Sequence, residues 1–137
     1  MAYLVHRRQL TVEWGHCDPA GIIFNSRFFE YFDWSTALLF QAALGLTKPE
    51  MQATYDADMP LIDARATFLK PARFGDVVEI ASTIGEFRCS SFDVQHRLSN
   101  RGELAAEAQE TRVWVGRTEL KSKPIPDEVV ECFKKSG

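Results

Sequence analysis

Nothing in this chain of 137 residues approaches the roughly 20 consecutive apolar residues that a membrane-spanning helix requires. The longest greasy stretch, Thr36 to Leu46, is short and carries Gln41, so no membrane span is expected. Cysteine is scarce: Cys17, Cys89 and Cys132 make an odd count with no close pair, which argues against a disulfide framework and a zinc knuckle. The three histidines, His6, His16 and His96, are scattered as well, so no metal site is expected. Neither sign of charge gathers in a block. Sixteen basic and 19 acidic side chains leave a net charge of -3, which offers nothing to nucleic acid. Arg7 and Arg8 follow a very short apolar start, the reverse of a secretory signal's layout, so no secretory leader and a cytoplasmic protein are expected. Phosphate-loop and nucleophile-elbow serine patterns are also absent, which speaks against a nucleotide hydrolase or a serine esterase.

What is present is a patterned chain with 45% apolar residues, enough for one core, and a single domain over residues 1–137 is expected. Gln9 to Trp14 alternates, with Leu10, Val12 and Trp14 on one face, as a half-buried strand does. After a loop holding Pro19 and Gly21, apolar residues recur at helical spacing from Phe29 to Ala43. Asn25 or Ser26 is placed to cap that helix and Gly45 to end it. Phe28, Leu38 and Ala42 fall on its other faces, so the helix is read as buried on several sides, with a sheet wrapped around it. Pro49 to Ala57 reads as a short second helix.

Four alternating segments follow, Leu61 to Lys70, Val77 to Gly85, Ser91 to Leu98 and Glu103 to Val115, joined by tight turns and read as an antiparallel meander. Glu103 to Glu110 is made of strong helix formers, but the hairpin-like turn before it and Thr111 to Val115 after it favour a strand. A short helix with Val129, Val130 and Phe133 on one side closes the chain. The order of elements gives an α+β fold.

The chemistry concentrates in Gly15-His16-Cys17-Asp18-Pro19-Ala20-Gly21. Proline fixes its own backbone and pushes the residue before it to extended geometry, so Asp18 is held in a stiff turn. Seven positions later the long helix begins, and its first amides have no partner within the helix. They suit a carbonyl oxygen that gains negative charge as its carbon is attacked. The same spacing fits an ordinary turn aspartate. His16 is either a second acid or base beside Asp18 or a plain loop histidine. His96 shares the apolar phase of its strand, as a core or interface histidine does, and Cys17 is read as packing.

The run Glu13-Trp14-Gly15-His16-Cys17-Asp18-Pro19-Ala20-Gly21-Ile22-Ile23-Phe24, followed by Phe28-Phe29-Glu30-Tyr31-Phe32-Asp33, resembles the active-site segment of the 4-hydroxybenzoyl-CoA thioesterase family. The similarity continues through Leu69 to Asp76 and Arg112-Val113-Trp114. It implies a hot-dog fold, a dimer with two interfacial sites, commonly paired into a tetramer, and hydrolysis of acyl-CoA without metal or organic cofactor. It implies Asp18 as nucleophile or general base, with the backbone N–H of Asn25 polarising the carbonyl. Substrate-binding positions would be His16, Phe24, Phe32 and Asp33, with Arg88, Ser90 and Ser91 toward the coenzyme. Asp33 matches the carboxylate that meets a ring hydroxyl in hydroxybenzoyl-specific members, and is otherwise an exposed or interface helix residue.

Departures from the pattern are Asn25 in place of tyrosine and His16 in place of an acidic residue. Cys89 and Ser90 replace neighbours that are basic in some relatives, which thins the phosphate clamp around Arg88. The expectation is an aromatic acyl-CoA thioesterase with 4-hydroxybenzoyl-CoA as leading substrate. Its rivals are a short- or medium-chain aliphatic thioesterase and a non-catalytic acyl-CoA-binding protein. A hot-dog dehydratase is disfavoured because no histidine and acid are suitably paired in the sequence.

Overall fold

The structure, a computed structural model, describes residues 2–134. In chain order the elements are β1 (Val5–Thr11), a 3-10 turn (Trp14–His16), α1 (Asn25–Leu44), α2 (Lys48–Tyr55), β2 (Ala57–Asp58), β3 (Leu61–Phe68), β4 (Val77–Phe87), β5 (Ser91–Asn100), β6 (Glu103–Val113), β7 (Val115–Gly116) and α3 (Asp127–Phe133). Five strands form one antiparallel sheet in the order β1-β4-β5-β6-β3, and β2 pairs with β7 in a separate ladder. This sheet and the long helix α1 are the α+β, hot-dog arrangement that the resemblance implies. Among the described residues no helix is long and apolar enough to cross a membrane, and no group of histidine, cysteine or carboxylate side chains is placed to hold a metal ion.

α1 forms because apolar side chains recur along it, and it buries Phe28, Tyr31, Phe32, Ser35, Thr36, Leu39 and Phe40. Gly45 ends it in the left-handed region, φ 71°, with its amide on the Gln41 carbonyl at 2.9 Å. α2 starts one residue before the expected Pro49. Thr47 and Glu50 exchange side-chain and backbone hydrogen bonds in a capping box.

The expected meander holds for β4, β5 and β6 but fails for β3, which pairs with β6 and forms the sheet's far edge. The connection from Leu69 to Asp76 does not turn back on itself; it crosses the end of the sheet. The amides of Leu69 and Lys70 bond to the Ala105 carbonyl at 2.8 and 3.1 Å, and Gly75 N–H reaches the Val12 carbonyl at 2.9 Å. A second correction concerns Trp14. β1 stops at Thr11, so Val12 enters the core but Trp14 turns outward, 60% exposed, with its ring edge-on to Phe74 at 5.4 Å.

The helix-forming segment at Glu103 is a strand, as read. It is paired on both sides, Ala106 facing Leu98 of β5 and Phe68 of β3, so ladder bonds outweigh its local preference. Ala105 and Ala106 are buried in the core that also holds Phe28 and Phe32 of α1.

Two apolar clusters make the core. One gathers Val12, Ile23, Phe28, Phe32, Ile80 and Leu98. The other gathers Leu39, Phe40, Met51, Phe92, Trp114 and Phe133. A buried polar group lies in the same interior: Ser82, His96, Thr36, Glu110 and Arg112. His96 Nδ1 meets Ser82 Oγ at 2.7 Å, and its Nε2 lies 3.1 Å from Thr36 Oγ1 and 3.3 Å from Glu110 Oε1. Thr36 Oγ1 donates to Glu110, and Arg112 donates to both Glu110 oxygens. A histidine and an acid are thus paired in space, which the sequence spacing hid. Both are sealed in the core, with Phe32 stacked 5.0 Å from the His96 ring, so the pair has no substrate access.

Burial pushes the Glu110 carboxyl up, but hydrogen bonds from His96, Arg112 and Thr36 and the Arg112 charge outweigh it and hold it at about 2. A carboxyl held below its ordinary 4.5 stabilises the fold fully above pH 4.5 and loses that contribution as pH falls toward 2. The contribution is on the order of 3 kcal/mol. Urea titrations between pH 6 and pH 2 are expected to show this loss, and in Glu110→Gln the acid-dependent component should be much reduced.

Candidate active site

The loop between β1 and α1 is a small hairpin. Cys17 bridges Ile23, the Asp18 amide bonds to the Ile22 carbonyl at 2.9 Å, and the Phe24 amide returns to the His16 carbonyl at 2.9 Å. Gly21, with φ 79°, makes the reversal, donating to the Asp18 carbonyl at 2.9 Å. The folding-back sets Asp18 at the tip and brings the start of α1 beside His16.

The crossing connection holds this hairpin from the other side. Ile23 N–H bonds to the Ala72 carbonyl and Phe74 N–H to the Gly21 carbonyl, each at 2.9 Å, and Ile22 bridges Arg73. Asp76 fixes the connection in turn, accepting from the Arg73 amide at 2.9 Å and from Asn100 Nδ2 at 2.8 Å. Those two hydrogen bonds, the backbone one first, hold the Asp76 carboxyl below its ordinary range.

Asp18 is a turn residue and more. Its Oδ1 accepts from the Ala20 amide at 2.8 Å, while Oδ2 has no hydrogen-bond partner among the described residues. The turn bond fixes the carboxylate's orientation and leaves one oxygen for chemistry. Neither Asn25 nor Ser26 caps the helix as the sequence suggested. The N-cap is Phe24, which has no side-chain acceptor, and no acidic residue stands in the first turn. With no side-chain acceptor, the first amides keep their partial positive charge for an incoming oxygen.

A cleft of about 230 Å³ opens at this point, lined by Ile22, Ile23, Asn25, Phe28, Phe68, Leu69, Lys70 and Pro71. Phe68 packs against Phe28 with ring centroids 5.0 Å apart and against Phe29 at 6.4 Å. Phe24 is exposed at the helix start. Phe32, in contrast, is 0% exposed and lies in the core rather than on a cleft wall.

The His16 ring is engaged by Tyr31, and Glu13 lies 3.9 Å from its Nε2. Burial, with Cys17 and Glu13 nearby, pushes the Tyr31 phenol up to about 12, so it stays protonated, and its hydroxyl shares a hydrogen bond of 2.8 Å with His16 Nδ1. Arg8 joins the same side of α1 through Ser35 Oγ at 2.9 Å and the Tyr31 carbonyl at 3.0 Å.

Arg88, Ser90 and Ser91 sit at the β4–β5 turn, which lies at the opposite end of β4 from Asp76. The Arg88 guanidinium is already engaged, by Asp93 at 2.7 and 3.0 Å, Glu86 at 3.0 Å and Ser91 Oγ at 2.8 Å. Asp33 lies on the exposed side of α1 and pairs with Arg112 at 2.5 Å. Sequence reading missed Glu110 and Asp93 as the partners of Arg112 and Arg88. Period-two spacing around Arg112 offered one signal, since Glu110 shares its strand face.

The family model of the thioesterase-like superfamily matches residues 12–133. The chain is 28% identical over 133 residues to the 4-hydroxybenzoyl-CoA thioesterase of Pseudomonas sp. strain CBS-3, covering 90% of this chain and 93% of that one. The solved structure of a 4-hydroxybenzoyl CoA thioesterase from that strain superposes with a TM-score of 0.86 at 26% identity, covering 93% of this chain and 98% of that chain. A gentisyl-coenzyme A thioesterase structure gives 0.85 at 26% identity, over 94% and 100%. An aspartate-to-asparagine mutant of 4-hydroxybenzoyl CoA thioesterase, complexed with 4-hydroxybenzoyl CoA, gives 0.87 at 25% identity, over 95% and 99%.

The left-handed turn at Gly21 has a measurable consequence. A Cβ there meets nothing within 4 Å, so the cost of Gly21→Ala is conformational. The variant is expected to lose about 1–2 kcal/mol in urea unfolding, with a fall in kcat exceeding that in an equally destabilised variant remote from the loop.

Proposed function

The chain belongs to the thioesterase-like superfamily and is an acyl-CoA thioesterase, and we propose that it hydrolyses an aromatic acyl-CoA, 4-hydroxybenzoyl-CoA first, at Asp18. The observation that carries the reading is the free Oδ2 of Asp18, set in a clamped turn beside a helix start with no side-chain cap. The thioester carbonyl oxygen sits on the backbone N–H of Asn25, and the acyl group enters the apolar cleft formed with Phe28, Phe68 and Leu69.

Asp18 Oδ2 attacks the thioester carbon, the carbonyl oxygen takes up the negative charge against the amide, and the carbon–sulfur bond breaks to release coenzyme A as thiolate. Water then cleaves the resulting anhydride and restores the carboxylate. A water molecule activated by Asp18 is the alternative route; direct attack is preferred because Oδ1 is held by the Ala20 amide and Oδ2 is left free to reach the carbon.

The hydroxybenzoyl assignment draws on Asp33, which is exposed and has its Oδ2 without a partner among the described residues. Its position supports a hydrogen bond from a ring hydroxyl, and the names of the similar thioesterases support an aromatic acid. The aliphatic reading draws on Asn25 in place of an aromatic side chain and on the apolar cleft walls. Arg88 is proposed to meet the coenzyme's phosphates only with what its internal hydrogen bonds leave over, so Arg88→Ala should raise KM modestly.

Catalysis is proposed to need a second copy. β3 is paired on one side only and exposes Leu61, Ile62 and Phe68, an edge of the kind that joins another strand. Two copies joined there place the sites at their interface, and two such dimers make a tetramer.

Release of free coenzyme A from 4-hydroxybenzoyl, benzoyl, gentisyl and aliphatic thioesters tests the chemistry. Wild type is expected to favour the hydroxylated aroyl thioesters, and Asp18→Asn to lower kcat by about a hundredfold or more. Inactivity of wild type on every thioester sinks the enzyme reading, whereas full activity of Asp18→Asn sinks only the site. In sedimentation velocity, wild type should run as a dimer or tetramer. Ile62→Lys, which places a charge on the exposed β3 edge, should shift it toward monomer and lower activity in parallel.

A further inference from the structure

Asn25, Phe29 and Asp33 are spaced four residues apart along one side of α1, so they share an edge of the helix. About 12 Å of helix axis separates the first from the last. The Asp33 side chain is 57% exposed, yet it is not free to turn. Arg112 Nη2 donates to its Oδ1 at 2.5 Å, while Oδ2 is without a partner among the described residues.

Arg112 is itself fixed from within the sheet. Its Nη1 donates to the Met59 carbonyl at 2.9 Å, its Nε to Glu110 Oε1 at 3.2 Å and its Nη2 to Glu110 Oε2 at 3.0 Å. Glu110 is held in turn by Thr36 and His96. The guanidinium charge is balanced by Glu110 without any help from Asp33. A solvent-exposed carboxylate adds little to such a buried pair in stability, since exposed pairs are worth about 0–1 kcal/mol. What the Asp33 arm gains is direction.

We propose that Arg112, backed by Glu110, is a positioning residue for Asp33: by occupying Oδ1 it aims Oδ2 at the acyl group. The preference for acyl groups with a hydroxyl remote from the thioester is then set by a side chain that never meets substrate. The planar guanidinium fork suits this role, because it bonds Asp33, Glu110 and the Met59 carbonyl at once, which a lysine ammonium cannot do in one plane. This rests on Asp33 meeting the acyl hydroxyl.

The test is the ratio of kcat/KM for 4-hydroxybenzoyl-CoA to that for benzoyl-CoA in wild type, Asp33→Asn, Arg112→Lys and the double variant Glu110→Gln/Arg112→Met. Removing the arginine alone leaves a buried carboxylate unpaired and risks the fold; the double variant removes both charges. Thermal melts select the variants that remain folded at the assay temperature. The double variant is expected to lose about tenfold of the ratio, as Asp33→Asn does, through a fall confined mainly to the hydroxylated substrate. Arg112→Lys should recover part of it.

An equal fall on both substrates, or a ratio unchanged in the double variant while Asp33→Asn abolishes it, would overturn the positioning role and leave Asp33 in place. A wild type that does not distinguish the two thioesters would overturn the Asp33 reading and this proposal with it, while activity lost only in Asp18→Asn keeps the thioesterase reading intact.

Discussion

Where Thr36 of α1 meets Glu110 of β6, the helix and the sheet are joined by a hydrogen bond in the interior rather than by apolar packing alone. A buried carboxylate is tolerated only if its oxygens are satisfied, and here His96, Arg112 and Thr36 converge on it. Through these three partners α1, β5 and β6 are set against one another. The helix cannot rotate or slide on the sheet without leaving one of these groups unpaired, which costs more than most apolar contacts gain. Apolar clusters on their own accept many small displacements; a hydrogen-bonded group in their midst accepts few. The start of α1 therefore has one position relative to the strands, and the Asp18 loop inherits that position.

The same reasoning separates what the sequence could tell from what it could not. Local signals were enough for α1, for the Gly45 stop, for the existence of the five strands of the main sheet and for the Asp18 turn, because each depends on residues close in the chain; the short β2–β7 ladder was not read. β3 was misplaced because strand order is decided by the path of the Leu69–Asp76 connection, and its controlling bonds go to Val12, Gly21, Ile23 and Ala105. Trp14 was put inside because alternation continues past Thr11 in the sequence, whereas the backbone turns there.

In the site, Asp18 and the helix start were legible, and the identity of the N-cap was not. Asn and Ser are good caps by type, but the hairpin that ties Phe24 to His16 fixes the start one residue earlier. The partners of Arg88 and Arg112 belong to the same class of omission. Asp93 and Glu110 are near them in sequence, yet only the strand register and the direction of each side chain make those pairs. Charged side chains are poorly predicted from pattern because a long flexible arm can satisfy itself in several ways.

The connection from Leu69 to Asp76 touches Val12 just past β1, the Asp18 hairpin and β6 through main-chain hydrogen bonds, which depend on chain path more than on side-chain identity. Such a segment tolerates replacement of its exposed side chains and resists any change in its length. Diversification of acyl specificity on this scaffold is thereby directed to side chains along the cleft and helix edge. The turn between β4 and β5 is tied in the same way, since the carbonyls of Ser90 and Cys89 accept from the amides of Trp114 and Ile125 at 2.6 and 2.8 Å, so it too resists a change in length.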